Sequence, residues 1–166
     1  MRRVLVTGGG TGIGRAIAHT FAEAGDAVTI CGRRLEPLRE TAEGFDIALR
    51  QADVTDEASV AALFDSPFDV VVANAGTGQP SRLENTSLEV WNNTLSVTLT
   101  GVFLTFRSAL PSMTAGGRLI AIASTASLQG GANIPAYAAA KHGVLGLVRS
   151  VAQDVAKKEI TCNVVC

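Results

Sequence analysis

The chain has 166 residues, 47% of them hydrophobic and 17% charged, with a net charge of −1. That composition excludes a disordered chain and predicts one globular domain over residues 1–166 with a real core. The charge balance argues against a nucleic-acid partner, and no apolar run reaches the ~20 residues that span a bilayer.

Read in order, short β-branched runs alternate with Ala-rich helical stretches. "RVLVT" (Arg3–Thr7) predicts a buried strand, followed by a Gly-rich turn and a helix over about Ile13–Ala24. "AVTIC" (Ala27–Cys31) is strand two, and a short helix covers Leu35–Thr41 with Pro37 in its first turn. "IALRQ" (Ile47–Gln51) is strand three, "DEASVAALF" (Asp56–Phe64) a helix, and "FDVVVAN" (Phe68–Asn74) strand four. A long amphipathic helix is predicted from about Leu88 to Leu110. "RLIAIAS" (Arg118–Ser124) is strand five, a helix runs over about Ala136–Ala156, and "ITCNVV" (Ile160–Val165) is strand six. Continuous apolar strands alternating with helices predict an α/β, doubly wound parallel sheet, helices on both faces.

Cys31, Cys162 and Cys166 show no ligand spacing, and an odd count of this kind suits a reducing cytoplasm. The N-terminus enters a strand at once, without the apolar core of a signal peptide. Under that reading the sequons at Asn85 and Asn92 carry no glycan. Neither His19 nor His142 sits in a metal-like cluster.

The turn after strand one reads "TGGGTGIG" (Thr7–Gly14), with glycines at Gly8, Gly12 and Gly14 in G-x-x-x-G-x-G spacing. Glycines there permit a tight turn and close approach of a pyrophosphate, and the following helix offers free N–H groups and a positive dipole end. Gly10, Thr11 and Ile13 belong to the same candidate cradle. At the end of strand two, where an acidic residue would bind the adenosine ribose, the chain reads "CGRR" instead. The guanidiniums of Arg33 and Arg34 match a 2′-phosphate; the alternative is a solvated basic loop. After strand three, Asp53 with Val54 either caps an adenine or starts the next helix.

In "IPAYAAAKHGVLG" (Ile134–Gly146), the only tyrosine precedes a lysine by four residues. Positions i and i+4 share a helix face, so Tyr137 and Lys141 point the same way. A phenol is a poor base at neutral pH, and an ammonium beside it favours the phenolate. Such a phenol can give a proton to a carbonyl oxygen or take one from an alcohol. By itself the pair reads as a surface pair of a helix; its company decides otherwise.

That company is "TGGGTGIG", "NAG" (Asn74–Gly76), and Ser124 placed thirteen residues before Tyr137. With these motifs in this order, over its whole length, the chain resembles the short-chain dehydrogenase/reductase family in its compact branch. "YAAAKHGVLGLVRS" is similar to bacterial 3-ketoacyl and polyketide ketoreductases. The resemblance implies a Rossmann sheet of order 3-2-1-4-5-6 and a Ser124, Tyr137, Lys141 catalytic set. It implies that Ser124 bonds the substrate oxygen and that Lys141 also holds the nicotinamide ribose. Asn74, Ala75 and Gly76 would line the adenosine side. NADP(H) is expected in preference to NAD(H), acting on a ketone or secondary alcohol. A homodimer or homotetramer through the long helices is also expected.

Two departures follow from the resemblance. The family carries an Asn in the long helix, where it holds a water in a proton relay; here "TLTG" puts Thr98 at that position. Family members also continue past strand six with a substrate-binding segment and a seventh strand, which are expected to be absent from these 166 residues. The competing expectation is therefore a nucleotide-binding relative with impaired catalysis.

Overall fold

The computed structural model describes all residues from Met1 to Cys166. The six apolar runs form strands β1 (Arg3–Thr7), β2 (Ala27–Gly32), β3 (Ile47–Gln51), β4 (Val70–Ala73), β5 (Arg118–Ile122) and β6 (Thr161–Val165). All pair in parallel, in the order β3-β2-β1-β4-β5-β6. The helices are α1 (Gly12–Glu23), α2 (Leu35–Ala42), α3 (Glu57–Ala61), α4 (Leu88–Leu95), α5 (Gly101–Ala109) and α6 (Pro135–Val155).

The strands alternate between two cores, as the period of two demands. Val4, Val6, Val28, Ile30, Val70 and Val72 meet Ala18 of α1 and Leu38 of α2 on one face. Leu5, Val71 and Leu119 meet Phe106 of α5 and Val144 and Val148 of α6 on the other. A fully buried aliphatic side chain of this kind contributes roughly 1.5–3 kcal/mol, so both faces of the sheet are held by burial. His19, at the back of α1, stacks on Phe45 at 4.3 Å and bonds the Thr41 carbonyl at 2.7 Å, a packing role.

Three local features differ from the expectation. The long helix over Leu88–Leu110 runs without interruption to Ala109 but carries an internal π turn at Ser96–Thr100, between α4 and α5. Here Thr98 is fully buried and its hydroxyl is bound to the Thr77 peptide, while Gly101 lies so close to Val54 that a Cβ would approach its Cγ2 to 2.9 Å. The helix after β3 ends at Ala61 and tightens into a 3₁₀ turn to Phe64. Its cap is Asp56, whose carboxylate accepts from the Ser59 N–H at 2.6 Å. Asp53 therefore does not start that helix; it accepts from the N–H and hydroxyl of Thr55 at 2.9 and 2.8 Å.

The chain runs outward from β1 to β2 and β3, then returns to β4 on the other side of β1. Such a reversal of direction opens a crevice at the carboxyl ends of the strands. The Gly-rich turn leaves β1 there, and "NAG" leaves β4 beside it.

Candidate active site

The Gly-rich turn and "NAG" are tied together. Asn74 donates through Nδ2 to the carbonyls of Thr7 and Gly8 at 3.0 and 3.2 Å. The Thr7 hydroxyl accepts from the N–H groups of Asn74 and Ala75, both at 3.1 Å. Two of the glycines have no substitute in this geometry. Gly8 has φ +66°, and a Cβ on Gly14 would lie 2.2 Å from the Gly8 carbonyl oxygen. Gly12, at φ +53°, faces open space on the outer side of the turn. Thr11 precedes α1 without a side-chain cap, and no acidic residue occupies the first helical turn. The N-terminus of α1 therefore offers unneutralised N–H groups to an anion.

Arg33 and Arg34 follow β2 and are both exposed. With Gly10, Thr11, Gly32, Pro37 and Leu38 they border a hollow of about 150 Å³ beside the Gly-rich turn. The Gln51 amide braces this corner by donating to the Arg33 carbonyl at 2.9 Å. Asp53 keeps its carboxyl below the usual carboxylate range, chiefly through the Thr55 N–H bond. Val54 is buried under α5 and serves the core.

A second and larger cleft, about 430 Å³, continues from Ile13 and Asn74 past Gly76 to Tyr137 and Lys141. Pro135 begins α6, where its fixed φ suits the first turn. One turn separates the two polar side chains: Lys141 Nζ lies 5.6 Å from the Tyr137 ring centroid. Lys141 is 4% exposed and donates to the Ile122 carbonyl at 2.6 Å. Burial pushes its ammonium down to about 8. Alanines 138–140 leave the flank of this helix low beside the cleft.

Ser124 lies two residues past β5, half-buried, and its Oγ accepts from the Ala126 N–H at 3.1 Å. It thus caps the short 3₁₀ turn at Thr125–Ser127. The capping bond uses a lone pair and leaves the hydroxyl proton free to donate. Thr98 differs: its hydroxyl donates to the Thr77 carbonyl at 2.9 Å and accepts from the Thr77 N–H at 3.0 Å.

Sequence reasoning did not identify Thr77, Gly78, Pro80 and Ile134 as lining of this cleft. The Gly and Pro of "GTGQP" signal a turn, but no local signal says that the turn folds back over α6.

A family model described as short chain dehydrogenase matches residues 2–166. The chain is 36% identical to a putative ketoacyl reductase of the granaticin polyketide synthase from Streptomyces violaceoruber, covering 98% of this chain and 65% of that protein. It is 39% identical to a cis-4-hydroxycyclohexanecarboxylate dehydrogenase from Sinomonas cyclohexanicum, covering 99% and 71%. A crystal structure of a short-chain dehydrogenase/reductase from Burkholderia phymatum, in complex with NAD, superposes with a TM-score of 0.94 at 27% identity, covering 99% of this chain and 64% of that one. The chain thus spans about two thirds of the length of these relatives. With nearly every residue matched by the family model, the chain belongs to the short-chain dehydrogenase family.

Proposed function

We propose that the protein interconverts a ketone and a secondary alcohol with NADP(H), using Ser124, Tyr137 and Lys141. The observation that carries this reading is the phenol and buried ammonium of α6 bordering one cleft that runs on to the Gly-rich turn. The cradle fits a dinucleotide: side chains at Gly8 and Gly14 would fill the turn itself, and the α1 N-terminus is free of any side-chain cap. When bound, the nicotinamide supplies or accepts the hydride.

The chain's own residues do the rest. The Gly-rich turn and α1 hold the pyrophosphate. Arg33, with Arg34, takes the 2′-phosphate beside Gly10 and Thr11, which is the basis for preferring NADP(H) over NAD(H). Ser124 donates its free proton to the substrate oxygen. Tyr137 passes a proton to that oxygen in reduction and removes it in oxidation. Lys141, buried and oriented by the Ile122 carbonyl, holds the ribose. The relatives' names, a ketoacyl reductase and a hydroxycyclohexanecarboxylate dehydrogenase, recommend a β-keto ester and a cyclic keto acid as probes.

The test is consumption of NADPH, followed by absorbance, with ethyl acetoacetate and 4-oxocyclohexanecarboxylate. Turnover that disappears in Tyr137→Phe supports the reading. Tight NADPH binding with no turnover in either direction replaces it with a nucleotide-binding relative.

A further inference from the structure

The hollow beside the Gly-rich turn has two walls from different parts of the chain. Gly10 and Thr11 form one; Arg33 and Arg34, with Pro37 and Leu38 of α2, form the other. The walls nearly touch at one point, where a Cβ on Gly10 would stand 3.0 Å from Pro37 Cβ. Arg15, the residue after the last glycine of the turn, ties them together. Its Nη2 donates to the Gly10 carbonyl and to Glu40 Oε2, both at 2.8 Å, and its Nε donates to the Thr41 hydroxyl oxygen at 3.0 Å. A helical threonine can bond back to the carbonyl four residues earlier, and the Thr41 hydroxyl gives its one proton to the Pro37 carbonyl at 2.9 Å. One chain of bonds thus runs from Gly10 through Arg15 and Thr41 to Pro37, with both ends on the walls of the hollow. Its middle is fixed: Thr41 is 0% exposed, and its carbonyl is bonded to His19 at 2.7 Å.

We propose that Arg15 is a positioning residue for cofactor selectivity: it sets the spacing between the Gly-rich turn and the Arg33–Arg34 corner, and so fits the hollow to a 2′-phosphate. The proposal rests on the NADP(H) reading given above. Arg15 acts through geometry and not through its charge. Its planar fork meets three acceptors on two elements, which the compact ammonium of a lysine does not span. Its charge is paired with Glu40, whereas neither Arg33 nor Arg34 forms an ion pair. Those two guanidiniums are therefore the ones open to an anion, and Arg15 decides how far from the turn they stand. A displacement of about 1 Å is enough to lose an oriented contact of this kind. The ribose of NAD(H) carries no phosphate for the hollow and gains nothing from the spacing.

The test uses Arg15→Lys, which keeps the charge and loses the fork, and Thr41→Val, which removes the hydroxyl from the middle of the chain at a buried position out of reach of a ligand. The intact protein is titrated by calorimetry with adenosine 2′,5′-bisphosphate and with 5′-AMP, which carry the adenosine end alone, and by fluorescence with NADPH and NADH. Each variant should weaken the bisphosphate and NADPH about five- to tenfold, the factor expected for one lost net hydrogen bond, and leave 5′-AMP and NADH within about twofold. Parent-like affinity for the bisphosphate in Arg15→Lys overturns geometry in favour of charge. Equal losses for all four ligands overturn selectivity in favour of general support of the turn. Parent-like affinities in Thr41→Val overturn the chain of bonds, and this variant carries the question alone should Arg15→Lys fail to fold. The tether is also read without any ligand: the NMR signal of the Arg15 Nε–H should exchange with water about five- to tenfold faster in Thr41→Val than in the parent, and equal exchange overturns the tether. A parent that binds NADH as tightly as NADPH sinks the NADP(H) reading and the selectivity role with it, and exchange at Arg15 then still decides whether this residue braces the turn.

Discussion

Lys141 Nζ sits 5.6 Å from the centroid of the Tyr137 ring and is anchored to the Ile122 carbonyl, so one helical turn of α6 holds a phenol beside a buried, oriented ammonium. Burial pushes that ammonium down to about 8 from its ordinary 10.5. Between those values the folded chain has released the proton while the unfolded chain still binds it, so folding becomes more favourable as pH rises through this window. Cys31 and Cys162 act oppositely, since burial pushes their thiols up to about 12 and about 11. The difference between the parent and Lys141→Met isolates the lysine. In the cofactor-free protein, the stability of the parent relative to Lys141→Met should increase from pH 8 to 10.5 in denaturant titrations. A flat difference would contradict the burial argument.

Tyr137→Phe keeps the ring that Gly78 packs against and removes only the hydroxyl. Proton transfer of this kind contributes ~10²–10⁴-fold, so kcat should fall by at least ~10²-fold with the Kd for NADPH unchanged. Near-parent turnover would remove Tyr137 from the proton step.

Arg33 and Arg34 border the hollow beside Gly10 and Thr11. A charge-assisted bond to a 2′-phosphate is worth roughly 1.5–3 kcal/mol. Arg33→Ala should therefore weaken NADPH about ten- to a hundredfold and leave NADH nearly unchanged in fluorescence titrations. Equal losses for both cofactors would point to a general effect on the turn, and tighter NADH binding by the parent would reverse the cofactor preference.

Ser127 is 1% exposed and its hydroxyl finds no partner in the 3₁₀ turn behind Ser124. A buried unsatisfied polar group costs about 1–3 kcal/mol. Ser127→Ala should raise the Tm without changing turnover. A lower Tm would reveal a bond that this hydroxyl makes.

Much of this was legible beforehand because the physics is local. Each apolar run that reads as a strand is a strand, and the alternation of strand and helix specifies the parallel sheet. The spacing of Tyr137 and Lys141 places them on one face because four residues make one turn. Illegible were contacts between segments distant in sequence. The π turn exists where Thr98 reaches Thr77, twenty-one residues away, and no periodicity within Leu88–Leu110 announces that partner. Asp53 and Asp56 are both plausible caps by residue type, and only the path of the chain after β3 selects Asp56.

Assembly is a further expectation. Along α5, Phe103 is 41% exposed and carries Arg107 over its ring at 5.0 Å, while the opposite side of the helix is buried on the sheet. A second copy covering this face would bury Phe103 across a two-fold axis. Sedimentation at micromolar concentration should show a dimer or tetramer, weakened by Phe103→Glu. A monomeric parent would contradict it.

The most direct measurement of the central claim is isotope transfer. The intact protein is incubated with NADPH deuterated at the nicotinamide C4 and with ethyl acetoacetate or 4-oxocyclohexanecarboxylate, and the products are read by mass spectrometry. Hydride transfer at the Tyr137–Lys141 cleft predicts an alcohol carrying one deuterium on its carbinol carbon, formed by the parent and lost in Tyr137→Phe. Alcohol formed equally by both proteins, or bound NADPH with neither ketone reduced and neither corresponding alcohol oxidised by NADP⁺, would contradict it.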